Sequence, residues 1–451
     1  MVYLMNLTIK INRHFWDRVY ILYYLLIGVG MFVLMKPNVE IAQWIRIAFL
    51  GLVLAPVCFK IESLPFAILC FYGISSSSFV AVLPTSPIYY TIAVFGFYVV
   101  YRKKSKDLVY ALFFYSYFAL CCVVYRDMQE YLQWWIIAVI LIDFVKNKTD
   151  VENLVYAFLI VSIFLSLLYL VHRDSFAEAY TYFGETEEGL ERSSWINGNL
   201  FGAVIAAGGT LAVAYLTETL QMTKKRTLFI ISGITAALSL VALILNASRG
   251  AFFAFTIPAA IMLFMSKIKA IYKVLLFAIT IYGIFWLYTT TDVFDLLISR
   301  IEEESFDTGG DRTSIWKEKL ESFLWDSNYW HYVFGMGRKS CSELRNQMST
   351  HNDFLTAFIG YGGMGLVLFV VIVFLPVIKA KKGMRLPVFI LLLYFIIECS
   401  VLEPVFRGYL VIIMYYFFVL KYALLFDVVQ ETDSKSKPKR RRLLFSIRKQ
   451  L

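Results

Sequence analysis

The sequence predicts an all-α, polytopic integral membrane protein with about 12–14 transmembrane helices and both termini on the cytoplasmic side. Three observations predict it. The 451 residues are 59% hydrophobic and 18% aromatic with only 17% charged, and the mean hydropathy is +0.67, too apolar for a soluble chain of this length. Apolar runs of about 17 to 25 residues, each enough to cross a hydrocarbon core of roughly 30 Å as a helix, recur from end to end. Lysine and arginine clusters fall on alternate connections between those runs.

In chain order the spans are expected near residues 17–35, 41–59, 64–83, 88–101, 107–125, 130–145, 153–171, 199–219, 227–246, 250–266, 271–289, 354–378, 386–403 and 407–426. Those at 88–101 and 130–145 are short enough to be re-entrant or displaced segments. The first run follows "KINRHFWDR" and has no small-residue cleavage site, so it is expected to stay as a helix. "RKKSK" at 102–106, "KNK" at 146–148, "KKR" at 224–226, "KIK" at 267–269 and "KAKKGMR" at 379–385 then mark the cytoplasmic connections, together with the tail "KSKPKRRRLLFSIRKQL". Residues 1–426 read as one membrane domain and 427–451 as a basic cytoplasmic tail. The net charge of +10 is accounted for by these segments lying near anionic headgroups and calls for no nucleic acid.

Two long connections fall on the other side, at about 172–198 and 290–352, and give outward-facing chemistry its room. In the second, "GGDRTSIWKEKLESFLW" opens on a turn and spaces Ile315, Leu320, Phe323 and Leu324 between charges. That pattern predicts a short amphipathic helix at the membrane surface, with Trp316, Trp325 and Trp330 at headgroup level. "VFGMGRKS" reads as a glycine-rich turn rather than a phosphate loop, since no strand precedes it. Of six cysteines only Cys341 falls clearly on the outer side, so no disulfide framework is implied. The outer connections hold no Asp-x-Asp pair or histidine cluster, so neither a metal site nor a cofactor is expected.

Ionisable residues at or in membrane helices are costly and mark candidate sites. Three lie on the outer side: Arg192 in "LERSSWINGNLFG", Arg249 in "NASRGAFFAF", and His351 in "STHNDFLTAFIGYGGMG". Each also has an ordinary role open to it: pairing with Glu187, Glu188 or Glu191 for Arg192, snorkelling to headgroups for Arg249, and helix capping or core packing for His351.

"SRGAF" followed by "HNDFLTAFIGYGGMG" resembles the O-antigen ligase and O-antigen polymerase superfamily, bacterial membrane glycosyltransferases acting on lipid-linked glycans. The ligase motif is His, then Asn, Ser or Gln, then nine residues, then Gly-x-x-Gly; His351, Asn352, Gly362 and Gly365 satisfy it. "RSSWINGN" resembles the family's arginine-bearing segment at a helix start. The family is usually drawn with twelve helices. The resemblance implies a metal-independent enzyme of the bacterial inner membrane with a periplasmic site: His351 as general base, Arg192 and Arg249 holding an undecaprenyl pyrophosphate donor, and Asn352 binding substrate. The expected function is O-antigen ligase, transferring a polysaccharide to a lipid A-core sugar. A repeat-unit polymerase, whose acceptor is a second lipid-linked glycan, shares the donor and the motif. A lipid-linked oligosaccharide flippase would instead place its charges along a path through helix interiors and show repeat symmetry.

Overall fold

A computed structural model of the chain describes residues 116–125, 131–171, 198–246, 248–290, 312–344, 350–406 and 408–426, with isolated helical positions between 19 and 69. The expected spans before residue 107 therefore fall largely outside the described residues, as do Arg192 and the basic tail. All regular structure among the described residues is helical. The helices are α1 (Tyr131–Asp143), α2 (Lys148–Val171), α3 (Gly198–Leu216), α4 (Arg226–Leu245), α5 (Arg249–Met265), α6 (Ala270–Thr290), α7 (Arg312–Asp326), α8 (Tyr329–Phe334), α9 (Arg338–Glu343), α10 (Asp353–Lys379), α11 (Arg385–Val401) and α12 (Leu410–Leu425). Among the described residues five helices are long and apolar enough to cross a membrane: α2, α3, α4, α10 and α11, the last counted from Lys382. Segments Trp134–Asp143, Arg249–Met265 and Leu410–Leu425 are apolar but shorter.

Helix α3 packs against α2, α4, α5, α11 and α12. Its contacts show how helices adhere where lipid is as apolar as their side chains, through small residues and short hydrogen bonds. Ser162 of α2 donates to the Ile205 carbonyl at 2.8 Å and meets Ser239 of α4 at 3.0 Å, while Tyr394 of α11 donates to the Ala203 carbonyl at 2.7 Å. Helix α12 is apolar all round and accordingly buried. Its tyrosines donate outwards, Tyr415 to the Leu391 carbonyl at 3.0 Å and Tyr416 to that of Ile372 at 2.5 Å.

The helix ends sort into two sets. At one end the Gln221 N–H donates to the Tyr422 hydroxyl at 2.7 Å, Lys225 pairs with Glu152, and a cleft of about 960 Å³ is lined by Lys224, Lys225, Arg226, Lys267, Met265 and Leu386. At the other end Tyr169 donates to the Leu245 carbonyl at 2.8 Å, Ser248 to the Asn199 side chain at 3.0 Å, and Asp353 accepts from the 405–406 backbone. This is the sorting of lysine-bearing and lysine-poor helix ends that alternating lysine-rich connections lead one to expect.

Two span ends differ from expectation for one reason. The spans expected at 386–403 and 407–426 are observed as 385–401 and 410–425, because the intervening chain folds into a turn. Gly408 has φ 75° and the Tyr409 N–H donates to the Pro404 carbonyl at 2.8 Å.

The amphipathic helix expected in the second long connection is present as α7. Trp325, Tyr329 and Trp330 are exposed, and Trp330 stacks on Phe334 with ring centroids 5.9 Å apart. Helix α10 runs over 27 residues and is kinked at Gly362. About 20 residues, the length of a membrane span, counted back from Lys379 end near Gly360, where α8 docks, so an interfacial position would suit this aromatic group. Trp316 departs from the headgroup placement expected of it: partly buried, it turns inward and donates its indole N–H to the Thr350 carbonyl at 2.6 Å.

Candidate active site

The start of α10 is built by two adjacent polar residues. Asn352 has extended backbone, and its side-chain oxygen accepts from the Leu355 N–H at 3.1 Å, an N-cap that satisfies one donor of the first turn. Asp353 puts a carboxylate in that first turn, where the helix dipole favours negative charge. The carboxylate also reaches across to the turn after α11 and accepts the Val405 and Phe406 N–H groups, each at 3.0 Å. With Asp353 fully buried between them, these two bonds clamp the Val405–Phe406 backbone to the start of α10. Phe406 completes the clamp by stacking on Tyr361 at 5.3 Å.

His351 stands just before this cap, partly buried, in left-handed backbone with φ 50°. Histidine is one of the residues found more often than most in that region, yet a non-glycine residue there costs about 1–3 kcal/mol unless its surroundings over-determine it. The surroundings are explicit. Thr350 is held by Trp316 at its carbonyl, and its hydroxyl contacts the Thr356 hydroxyl at 2.5 Å. Thr356 donates to the buried Glu403 carboxylate at 2.7 Å. Glu403 is itself left-handed, with φ 62°, immediately before Pro404. Two of the three non-glycine positive-φ residues among those described thus stand at one hydrogen-bonded cluster, Glu403 within it and His351 between its members Thr350 and Asn352.

Helices α7, α8 and α9 brace the cluster from outside. Gly362 breaks α10 with φ 72° and ψ −175°, which turns the preceding carbonyls out of the helical ladder. They are taken up by the "VFGMG" turn: Met336 N–H donates to Ile359 at 3.1 Å, Gly337 N–H to Gly360 at 2.9 Å, and the Tyr117 hydroxyl to Tyr361 at 2.9 Å. A Cβ at Gly362 would lie 2.3 Å from the Val333 backbone, and one at Gly335 2.2 Å from the Gly360 carbonyl oxygen. The glycines of the histidine motif therefore admit the outer turn of the same chain, at backbone-to-backbone distance.

Beneath this turn Lys319 is fully buried and donates to the Cys341 carbonyl at 2.9 Å and the Leu344 carbonyl at 3.3 Å. Burial pulls its ammonium below the ordinary lysine value, opposed by the nearby Glu403 carboxyl group. The same burial, helped by Glu403, pushes the Cys341 thiol up to about 12. At pH 8 its thiolate fraction is then about 10⁻⁴, so Cys341 is expected to resist maleimide in the folded protein and to label fully in denaturant. Peptide mass spectrometry of labelled protein checks this; rapid labelling of the native state would mean that the α7–α9 layer opens.

The candidate residues are distributed as follows. Arg249 is the first residue of α5, partly buried, at the same end of the bundle as His351. A Cβ at the adjacent Gly250 would lie 2.8 Å from Val401 Cγ2, so the Arg249 turn meets the end of α11 two residues before Glu403. Both Arg249 and His351 therefore stand on segments packed against the α11 terminus. Asn352 is engaged through its oxygen as the helix cap. Arg192 lies outside the described residues. The lysine-lined cleft is at the opposite end of the bundle from all of these.

Sequence reasoning passed over Asp353, Thr350, Thr356 and Glu403. The signal for Glu403 was available: an acidic residue in a short outer turn directly after an apolar helix meets the same criterion that singled out Arg249.

Comparison with curated proteins gave no significant match. The family model described as O-antigen ligase matches residues 234–370, a segment that carries Arg249, His351 and the Gly362–Gly365 pair and ends before Glu403. Members of this family are membrane glycosyltransferase-like enzymes, ligases or polymerases, acting on lipid-linked glycans. The segment 234–370 is thus similar to the O-antigen ligase family, and five of the described helices are long and apolar enough to cross a membrane.

Proposed function

We propose that the protein is an O-antigen ligase of the bacterial inner membrane, transferring a finished polysaccharide from undecaprenyl pyrophosphate to a lipid A-core sugar on the periplasmic side. The observation that carries this reading is the placement of His351, within its complete motif, in a braced left-handed turn at the end of the bundle that also bears Arg249. The acceptor hydroxyl attacks the sugar C1, the C1–O bond to the pyrophosphate breaks, and the hydroxyl proton passes to the His351 imidazole, the side-chain type most often used as a general base. The leaving undecaprenyl pyrophosphate keeps the bonding electron pair. Arg249 and Arg192 hold its phosphate oxygens and meet the charge that grows there, a task suited to planar, permanently charged guanidinium groups. With the Asn352 oxygen committed to the helix cap, its amide NH₂ is the half left to contact a glycan.

A deletion strain separates the ligase from the polymerase by its lipopolysaccharide gel profile. Lipid A-core alone, with accumulated lipid-linked polymer, is the expected result; core bearing a single repeat would overturn the ligase reading and indicate a polymerase. Because arginines supply the positive charge, transfer by the purified enzyme is expected to continue in EDTA. Loss restored by magnesium or manganese would contradict that.

A further inference from the structure

We infer that Glu403 is a positioning residue for His351, acting through Thr356 and Thr350; this rests on the reading of His351 as the proton acceptor. The two residues are far apart in sequence, and Glu403 lies outside the segment that carries the family match. They are joined by a chain of hydrogen bonds. Thr356 donates its hydroxyl proton to the Glu403 carboxyl at 2.7 Å. The Thr356 hydroxyl also contacts that of Thr350 at 2.5 Å. Thr350 in turn is tied to the Asn352 backbone on both sides, donating to its carbonyl at 3.1 Å and accepting its N–H at 3.3 Å. The chain thus runs from the backbone of the residue that follows His351 to a buried carboxyl group.

Each end has an independent anchor. On one side Trp316 donates to the Thr350 carbonyl, so the residue before His351 is held at both its carbonyl and its hydroxyl. On the other, Glu403 is 2% exposed and Asp353 clamps the Val405 and Phe406 N–H groups two and three residues further on. Glu403 at one end, and His351 next to Asn352 at the other, are non-glycine residues held at positive φ, a conformation that persists only where neighbours impose it. A base must stand within hydrogen-bond reach of the proton it takes, and the cluster sets the backbone from which the imidazole projects. Polarised chains of this kind strengthen cooperatively in a low-dielectric setting, so breaking either link is expected to loosen the same turn.

The test uses full-length protein in detergent, with lipid-linked donor binding, kcat and KM measured for Thr356→Val, Thr356→Ser, Glu403→Gln and the Thr356→Val/Glu403→Gln double variant. Thr356→Val keeps the side-chain shape and removes the link; kcat is expected to fall on the order of 10- to 10²-fold, the scale of a misplaced reacting group, with donor binding unchanged. Thr356→Ser restores the hydroxyl and is expected to recover most of kcat. Glu403→Gln, which accepts through a neutral oxygen, is expected to fall between them, and the double variant to be no worse than Thr356→Val because both break one chain. The same substitutions are also made in a His351→Ala background, where a positioning role predicts no further loss. Wild-type kcat in Thr356→Val, multiplicative losses in the double variant, or equal losses with and without His351 would each overturn the inference. Should His351→Ala itself transfer normally, the general-base reading fails, a result distinct from all of these.

Discussion

Replacing His351 by alanine is expected to lower glycan transfer by about 10² to 10⁴ while leaving donor binding largely intact, the range typical of losing a positioned general base. Alanine carries the full strain of left-handed backbone at this position, where φ is 50°. His351→Asn is therefore the better-controlled companion, since asparagine tolerates that region but offers no base at neutral pH. Both variants are expected to be inactive alike, with Asn the closer to wild type in thermal stability. The measurement is single-turnover transfer beside equilibrium binding of the lipid-linked donor. Loss of donor binding in a normally folded His351→Asn protein would make the histidine a ligand for the pyrophosphate and end its assignment as the base.

Much of this arrangement was legible in the sequence, and the rest was hidden for identifiable reasons. Composition and run length announce membrane helices because a bilayer imposes a length and an apolar surface on every span. The boundaries of α4, α5 and α10 fall within a residue of those expected, whereas α2 begins five residues earlier, at Lys148. The lysine clusters sorted the helix ends because each cluster is local. Asp353 and Glu403 were not legible in the same way. Asp353 reads as an ordinary first-turn acid, and its grip on the Val405 and Phe406 N–H groups exists only once two distant segments meet. The glycines at 360–365 announce a close approach without saying what approaches. The structure places the 333–337 segment there, paired through backbone hydrogen bonds. Trp316, Trp325 and Trp330 share an aromatic character that suits a membrane surface. Only the facing of α7 onto the Thr350 carbonyl separates the first from the other two.

Arg249→Ala is expected to weaken donor binding and turnover together, with the combined loss in kcat/KM on the order of 10² to 10³, comparable to removing one strong donor from an anionic transition state. The two effects travel together because the charge met by the guanidinium is present in the bound pyrophosphate and grows as the C1–O bond breaks. The substitution suits the fold. Arg249 is the first helical residue of α5, where alanine is well tolerated, and the close contact with Val401 is made by Gly250. The helix start contributes its own unsatisfied N–H groups and positive dipole end at the same place, so residual binding is expected to persist and to weaken further as salt is raised. Arg249→Lys is expected to recover only part of the loss, since an ammonium supplies charge without the planar fork that spans two phosphate oxygens. Donor titrations on purified variants at two salt concentrations, read beside single-turnover rates, separate these contributions. Wild-type donor affinity in Arg249→Ala would remove the arginine from the pyrophosphate, and full recovery by lysine would show that charge alone, without forked geometry, is what the site requires.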